Sequence, residues 1–165
     1  YPAEGVLKAH KANIVDTTCP LEVLSGMWVT GPIPRRNALE DAGGSFFFDR
    51  RGHRPDPIPD DQAVWIHAAA GTIVLLGCAH AGVVNTLDYV CELSGRQEVH
   101  AVIGGMHLAK ASASRLEETV QALERRHVRM IAPCHCTGEN AVRFLQQRLP
   151  ERVAECAAGS TFEFT

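Results

Sequence analysis

The sequence predicts an α/β protein built around a largely parallel sheet, and three observations carry that expectation. From Gln62 onward, short apolar runs alternate with amphipathic stretches of helical period. The runs are β-rich and too short for helices, as in Ile73-Val74-Leu75-Leu76 and Ala101-Val102-Ile103. Three histidines, His80, His107 and His135, each follow such a run at intervals of 27 and 28 residues, one strand-plus-helix unit apiece.

Taken in order, residues 12–15 and 23–29 read as short strands. Gly31-Pro32-Ile33-Pro34 closes the second, because each proline lacks a ladder donor and restricts the residue before it. Residues 31–61 form a long polar loop rich in Pro and Gly, of the kind that serves as a lid or binding element. Within it, Phe46-Phe47-Phe48 reads as a short buried segment, with an exposed substrate wall as the alternative. Ala63 to Ala68 and Thr72 to Leu76 make a hairpin through Ala69-Ala70-Gly71. A helix follows from Val83 to Leu93, with Val83, Leu87, Val90 and Cys91 on one face and Gly95 as its C-terminal stop.

Val99 to Ile103 is the next strand. Ser114-x-x-Glu117 reads as a capping box opening a helix that carries Leu116, Val120 and Leu123. Val128 to Ala132 is a further strand. Thr137 is placed to cap a last helix whose Ala141, Phe144, Leu145 and Leu149 face inward, with Pro150 beyond it. Thr161 to Phe164 alternates as a final strand. Residues 1–165 thus read as a single domain, with a β-β-α-β-α-β-α-β core over 62–165.

Bulk properties narrow the function. A chain of 165 residues with 45% hydrophobic and 21% charged residues buries an ordinary core. A formal charge of -3 supplies no basic field for nucleic acid or an anionic membrane. No apolar run approaches the roughly 18 residues of a membrane span, and Tyr1-Pro2-Ala3-Glu4-Gly5 does not read as a signal peptide, so a cytoplasmic protein is expected. The chain does not open with Met, which suggests an upstream segment removed or encoded elsewhere. The six cysteines read as small buried thiols in a reducing compartment. Cys134 and Cys136 flank His135, so a metal-bound or reactive thiol is the alternative there.

The chemistry centres on the three histidines. In successive right-handed crossover units, residues just beyond the strands emerge at one edge of the sheet, where α/β proteins place their ligand sites. His80, His107 and His135 are therefore expected to meet around one borderline-soft divalent cation. For His107 a substrate-contacting, catalytic or supporting role stands beside ligation. His10, His53, His67, His100 and His127 read as structural.

Five segments in this order resemble the C-terminal half of the metallo-β-lactamase superfamily: Thr30-Gly31-Pro32-Ile33-Pro34-Arg35, Asp60-Asp61-Gln62-Ala63, Gly77-Cys78-Ala79-His80-Ala81-Gly82, Gly104-Gly105-Met106-His107-Leu108 and His135-Cys136-Thr137-Gly138. They are most similar to its dihydropterin-linked ribofuranosylaminobenzene 5′-phosphate synthase-like branch. The resemblance implies part of an αβ/βα sandwich with one or two zinc ions (manganese or iron as alternatives) at one edge. It implies hydrolysis of an ester, phosphoester or amide by a metal-activated water. His80 would complete one metal and His135 the other, while His107 stands near where many relatives offer a bridging Asp. The family's His-x-His-x-Asp-His motif occurs nowhere in the sequence. An N-terminal half, or another copy of the chain, is therefore expected as a partner, and the isolated chain is expected to associate through an apolar face.

Arg35 and Arg36 are candidates for gripping a phosphate or carboxylate of a small substrate. Two rival classes remain: a non-catalytic metal-binding or structural half-domain, and a Rossmann-like nucleotide binder. Gly104-Gly105 lacks the Gly-x-Gly-x-x-Gly pattern the last requires.

Overall fold

A computed structural model describes residues 5, 14–42, 44 and 46–164 of the chain. Six strands form one mixed sheet in sequential order: β1 (Leu21–Leu24), β2 (Met27–Val29), β3 (Ala63–Ala68), β4 (Gly71–Leu76), β5 (Ala101–Gly105) and β6 (Met130–Cys134). The first four are antiparallel neighbours, whereas β4, β5 and β6 run parallel. Helices α1 (Val83–Ser94), α2 (Ala113–Arg125) and α3 (Glu139–Arg148) follow the parallel strands, with a 3₁₀ turn at His135–Thr137 before the last. No helix among the described residues is long and apolar enough to cross a membrane.

Strand alternation sorts the side chains into two faces. Trp28, Trp65, Val74, Val102 and Ile131 form one rung across five strands. The indoles of Trp28 and Trp65 stack at 5.6 Å, and Val74, Val102 and Ile131 are wholly buried. Leu87 and Val90 of α1, Val120 and Leu123 of α2, and Leu145 of α3 join them in one core. Each such aliphatic side chain contributes about 1.5–3 kcal/mol on burial. On the other face, Met27, Val29, Val64, Ile66, Leu75 and Ile103 are apolar and only half-buried.

Several sequence expectations need correction. The run 23–29 is not one strand, because Ser25-Gly26 turns it into the β1–β2 hairpin, with Gly26 at φ 76°. Of the proposed strand 12–15, residues 12 and 13 lie outside the described residues, and Ile14 and Val15 are exposed and irregular. Helix α2 is capped by Ser112, whose hydroxyl accepts from the Arg115 amide, and not by Ser114. Thr137 does not cap α3 with its side chain; Gly138 holds that position. Thr161 to Phe164 forms no strand. The parallel bridge beside β6 comes from Val153, and Phe164 packs edge-on against His100 instead.

The long loop is tied to α1. That helix begins at Gly82 with no side-chain cap of its own. Glu40 fills the role from the loop: its carboxylate accepts from the Val84 and Asn85 amides at 2.9 and 2.8 Å. A carboxylate here also meets the positive end of the helix dipole. Asn85 returns the connection, its side-chain oxygen accepting from the amides of Arg36 and Asn37. Gly82 is required twice over. Its φ is 100°, and a Cβ there would stand 2.1 Å from the Glu40 carboxylate.

Gly82→Ala is therefore expected to lower stability by about 2–3 kcal/mol, measured by urea denaturation. Burial pushes the Glu40 carboxyl above its ordinary range, against the pull of the Asn85 and Val84 amides. A raised native value stabilises the fold fully below the unfolded value of about 4.3 and loses that contribution as pH rises through the native one. Glu40→Gln should flatten this limb of the stability profile, and an unaltered slope would contradict the assignment.

Candidate metal centre at the strand ends

The site is built by the three segments that leave β4, β5 and β6. Each contains a residue forced into the left-handed region: Ala79 at φ 49°, His107 at 49° and His135 at 52°. The turns bring the imidazoles to the carboxyl edge of the parallel strands, but not into one trio. His80 and His107 come together, ring centroids 4.4 Å apart. His135 instead places Nε2 3.1 Å from the Cys78 sulfur. Among the described residues, the three ligand groups that lie within 4.8 Å of one another are Cys78, His135 and Cys136. Convergence of all three histidines on one point is thus replaced by an imidazole pair beside a sulfur-bearing cluster. The reason is local: His135 opens a 3₁₀ turn, and that turn faces the Cys78 end of the β4 loop.

Supporting bonds fix the loops. Arg35, expected to grip an anion, instead donates to the carbonyls of His80 at 2.6 Å, Pro57 at 2.6 Å and Ile58 at 3.2 Å. Its guanidinium holds the main chain of a site residue. Arg36 is paired on the surface with Glu92 at 2.6 Å. Arg36 departs because Asn85 holds residues 36 and 37 along α1, within reach of Glu92, whereas Arg35 turns to the carbonyls of neighbouring loops. Asp61 accepts from the Ala81 amide at 2.7 Å. Thr137 joins two loops, its hydroxyl accepting from the Met106 amide and donating to the Cys134 carbonyl. The Nδ1 of His80 lies 3.4 Å from the Ala42 carbonyl, a long contact that favours a proton on that nitrogen and a lone pair on Nε2.

The phenylalanine run is exposed, contrary to the buried reading. Phe46, Phe47 and Phe48 are 37%, 42% and 57% accessible. Phe46 stands edge-on to His80 at 5.1 Å and tilted to His107 at 6.4 Å, which makes it a wall of the site. A cavity of about 440 Å³ opens beside it, lined by His107, Cys136, Lys110, Arg115 and Asp41 among others. The Arg115 guanidinium is buried and paired with Asp41 at 2.9 Å.

Two residues were not recognised as site components from the sequence. Cys78 was grouped with the inert thiols, and its position two residues before His80 was the available signal. Burial, reinforced by neighbouring Cys136, pushes the Cys78 thiol up to about 11. Burial likewise raises the Cys134 thiol, helped by a hydrogen bond with the free thiol of Cys156. Glu40 was the other, legible only once α1 was seen to lack a cap. The donor chemistry suits a borderline-soft divalent cation: imidazole nitrogens and thiols at strand ends, within a few ångströms of each other.

The fold has the likeness of a metal-dependent hydrolase of the β-lactamase superfamily. The structure of Tm1679, described in those words, matches with a TM-score of 0.86 at 30% identity, over 99% of this chain and 62% of that one. A possible metal-dependent hydrolase from Veillonella parvula shares the fold at a TM-score of 0.53 and 16% identity, over 97% of this chain and 63% of its own. In sequence, a 7,8-dihydropterin-6-methyl-4-(β-D-ribofuranosyl)-aminobenzene-5′-phosphate synthase of Methanocaldococcus jannaschii is 33% identical over 109 residues, 66% of this chain. The uncharacterized protein MJ0448 of the same organism is 30% identical over 145 residues, 87% of this chain. The chain spans 37% and 52% of the length of these two curated relatives. No family model matches it.

Arg35→Ala should cost about 1–3 kcal/mol and weaken metal retention together, because it frees the His80 carbonyl and two loop carbonyls at once. Thermal melting and elemental analysis of the same preparation check this. Loss of stability with metal content unchanged would show that Arg35 braces the loop alone.

Proposed function

We propose that this chain carries part of the active site of a metal-dependent hydrolase acting on an ester, phosphoester or amide of a small substrate. The observation that carries the reading is the His80–His107 pair, with rings 4.4 Å apart, at the mouth of the cavity that His107 also lines. A bound divalent cation would supply Lewis acidity and lower the pKa of water towards about 7. His80 offers a nitrogen to that ion from the β4 loop and His107 from the β5 loop, while His135 serves a neighbouring position from β6. Phe46 shields the imidazoles from bulk water on one side. Lys110 adds a positive charge to the cavity wall beside the Arg115–Asp41 ion pair, which favours a substrate bearing phosphate or carboxylate.

The remaining ligands come, in this reading, from a His-x-His-x-Asp-His segment outside these 165 residues, in the same protein or a second chain. The half-buried apolar face of Met27, Val29, Val64, Ile66, Leu75 and Ile103 supports such a partner, since a second sheet would cover it. A non-catalytic half-domain is the second reading, favoured by the absence of that motif from the sequence.

The test is zinc- or manganese-dependent hydrolysis of a chromogenic phosphodiester by the chain together with that segment. Activity should vanish with chelator and fall by about 100-fold or more in His80→Asn and His107→Asn. Equal rates and equal metal content in both variants would reject the hydrolase reading. Lys110→Ala should raise KM for the phosphodiester several-fold with kcat little changed, the pattern expected when binding is lost equally from the ground and transition states.

A further inference from the structure

Two half-exposed thiols, which the hydrolase reading leaves unused, meet the imidazole of His135. Cys78 belongs to the loop after β4, and His135 and Cys136 to the turn after β6. These strands are not neighbours, because β5 lies between them. Their loops reach each other only by closing over the end of β5, at Gly105. A Cβ on Gly105 would lie 2.5 Å from the Gly77 carbonyl oxygen, 2.8 Å from the Cys136 sulfur and 3.3 Å from the Cys78 Cα. Glycine at that position is what allows the two sulfur-bearing segments to approach.

The resulting cluster has the dimensions of a coordination sphere. Its three ligand groups lie within 4.8 Å of one another, and His135 Nε2 is 3.1 Å from the Cys78 sulfur. In a tetrahedral site with Zn–S near 2.3 Å and Zn–N near 2.0–2.1 Å, donor atoms stand about 3.4–3.8 Å apart. The observed spacing brackets that range, so side-chain rotation alone closes the site. Cys91 offers the contrast: it is 2% exposed in the core, where no cation could reach it.

We propose that Cys78, His135 and Cys136 form a sulfur-rich site for one thiophilic divalent cation such as zinc, cobalt or cadmium. Binding releases the two thiol protons to solvent and leaves a fourth position for water or an outside ligand. Two thiolates give this site a softer preference than the His80–His107 pair, so it fills first with a thiophilic ion. The proposal does not rest on the hydrolase reading.

Cobalt(II) is the direct probe. The full 165-residue chain, kept reduced with a phosphine, is titrated while sulfur-to-cobalt charge transfer is followed in the near ultraviolet. One equivalent should saturate the band. Cys78→Ser and Cys136→Ser should each weaken cobalt binding by about tenfold or more and remove most of the band, while His80→Asn and Cys134→Ser leave it intact. A second measurement uses the unaltered protein, so misfolding of a variant cannot obscure the answer. Zinc should protect the thiols of Cys78 and Cys136 from iodoacetamide, mapped by mass spectrometry. Absence of the band, its persistence in both serine variants, unchanged alkylation with zinc, or a Cys78–Cys136 disulfide formed in the presence of zinc would each overturn the proposal. Since His80→Asn tests hydrolysis but not this band, either reading can fail while the other stands.

Discussion

Strands β4, β5 and β6 lie with Leu76, Gly104 and Pro133 side by side, and the position of every site residue follows from that registration. Parallel hydrogen bonding fixes the alignment along the strands. The rung from Trp28 to Ile131 fixes it across them, because a slip of one residue would turn that apolar row to the opposite face. Three loops that start in step can then interact over distances of a few ångströms. Shifting one strand by two residues, about 7 Å, would separate His80 from His107 without altering either side chain.

The long loop before β3 shares in this alignment. Through Arg35 it holds the His80 carbonyl, through Glu40 and Asn85 it holds the start of α1, and through Asp61 it holds the Ala81 amide. These bonds surround one short stretch, residues 80–85, from the outside. The loop that carries the aromatic wall thereby also sets the entry of the helix behind His80. Movement of Phe46 and orientation of His80 are coupled by covalent continuity as well as by ring contact.

Much of this was legible in the sequence because hydrophobic period and Gly/Pro punctuation act locally. The β3–β4 hairpin, the faces of α1 and α2, and the strands preceding His107 and His135 all follow from them. What escaped depended on partners distant in the chain. Glu40 reads as an ordinary loop acid until a helix 44 residues later is found without a cap. Arg35 resembles an anion clamp until its three carbonyl acceptors are located. Cys78 and Cys136 are separated by 58 residues, and no pattern within either segment announces that they meet. The phenylalanine run misled because apolarity usually signals burial, whereas here it borders a cavity.

The left-handed backbone at positions 107 and 135 acts as a filter on what evolution can install there. Few residues with a Cβ tolerate that conformation, and the readiest are histidine, asparagine and aspartate. Two of those three are metal-binding side chains of different hardness. The turn after β5 can therefore exchange imidazole for carboxylate with no change of main-chain path. A single codon change at such a turn exchanges a softer donor for a harder one while leaving the scaffold untouched.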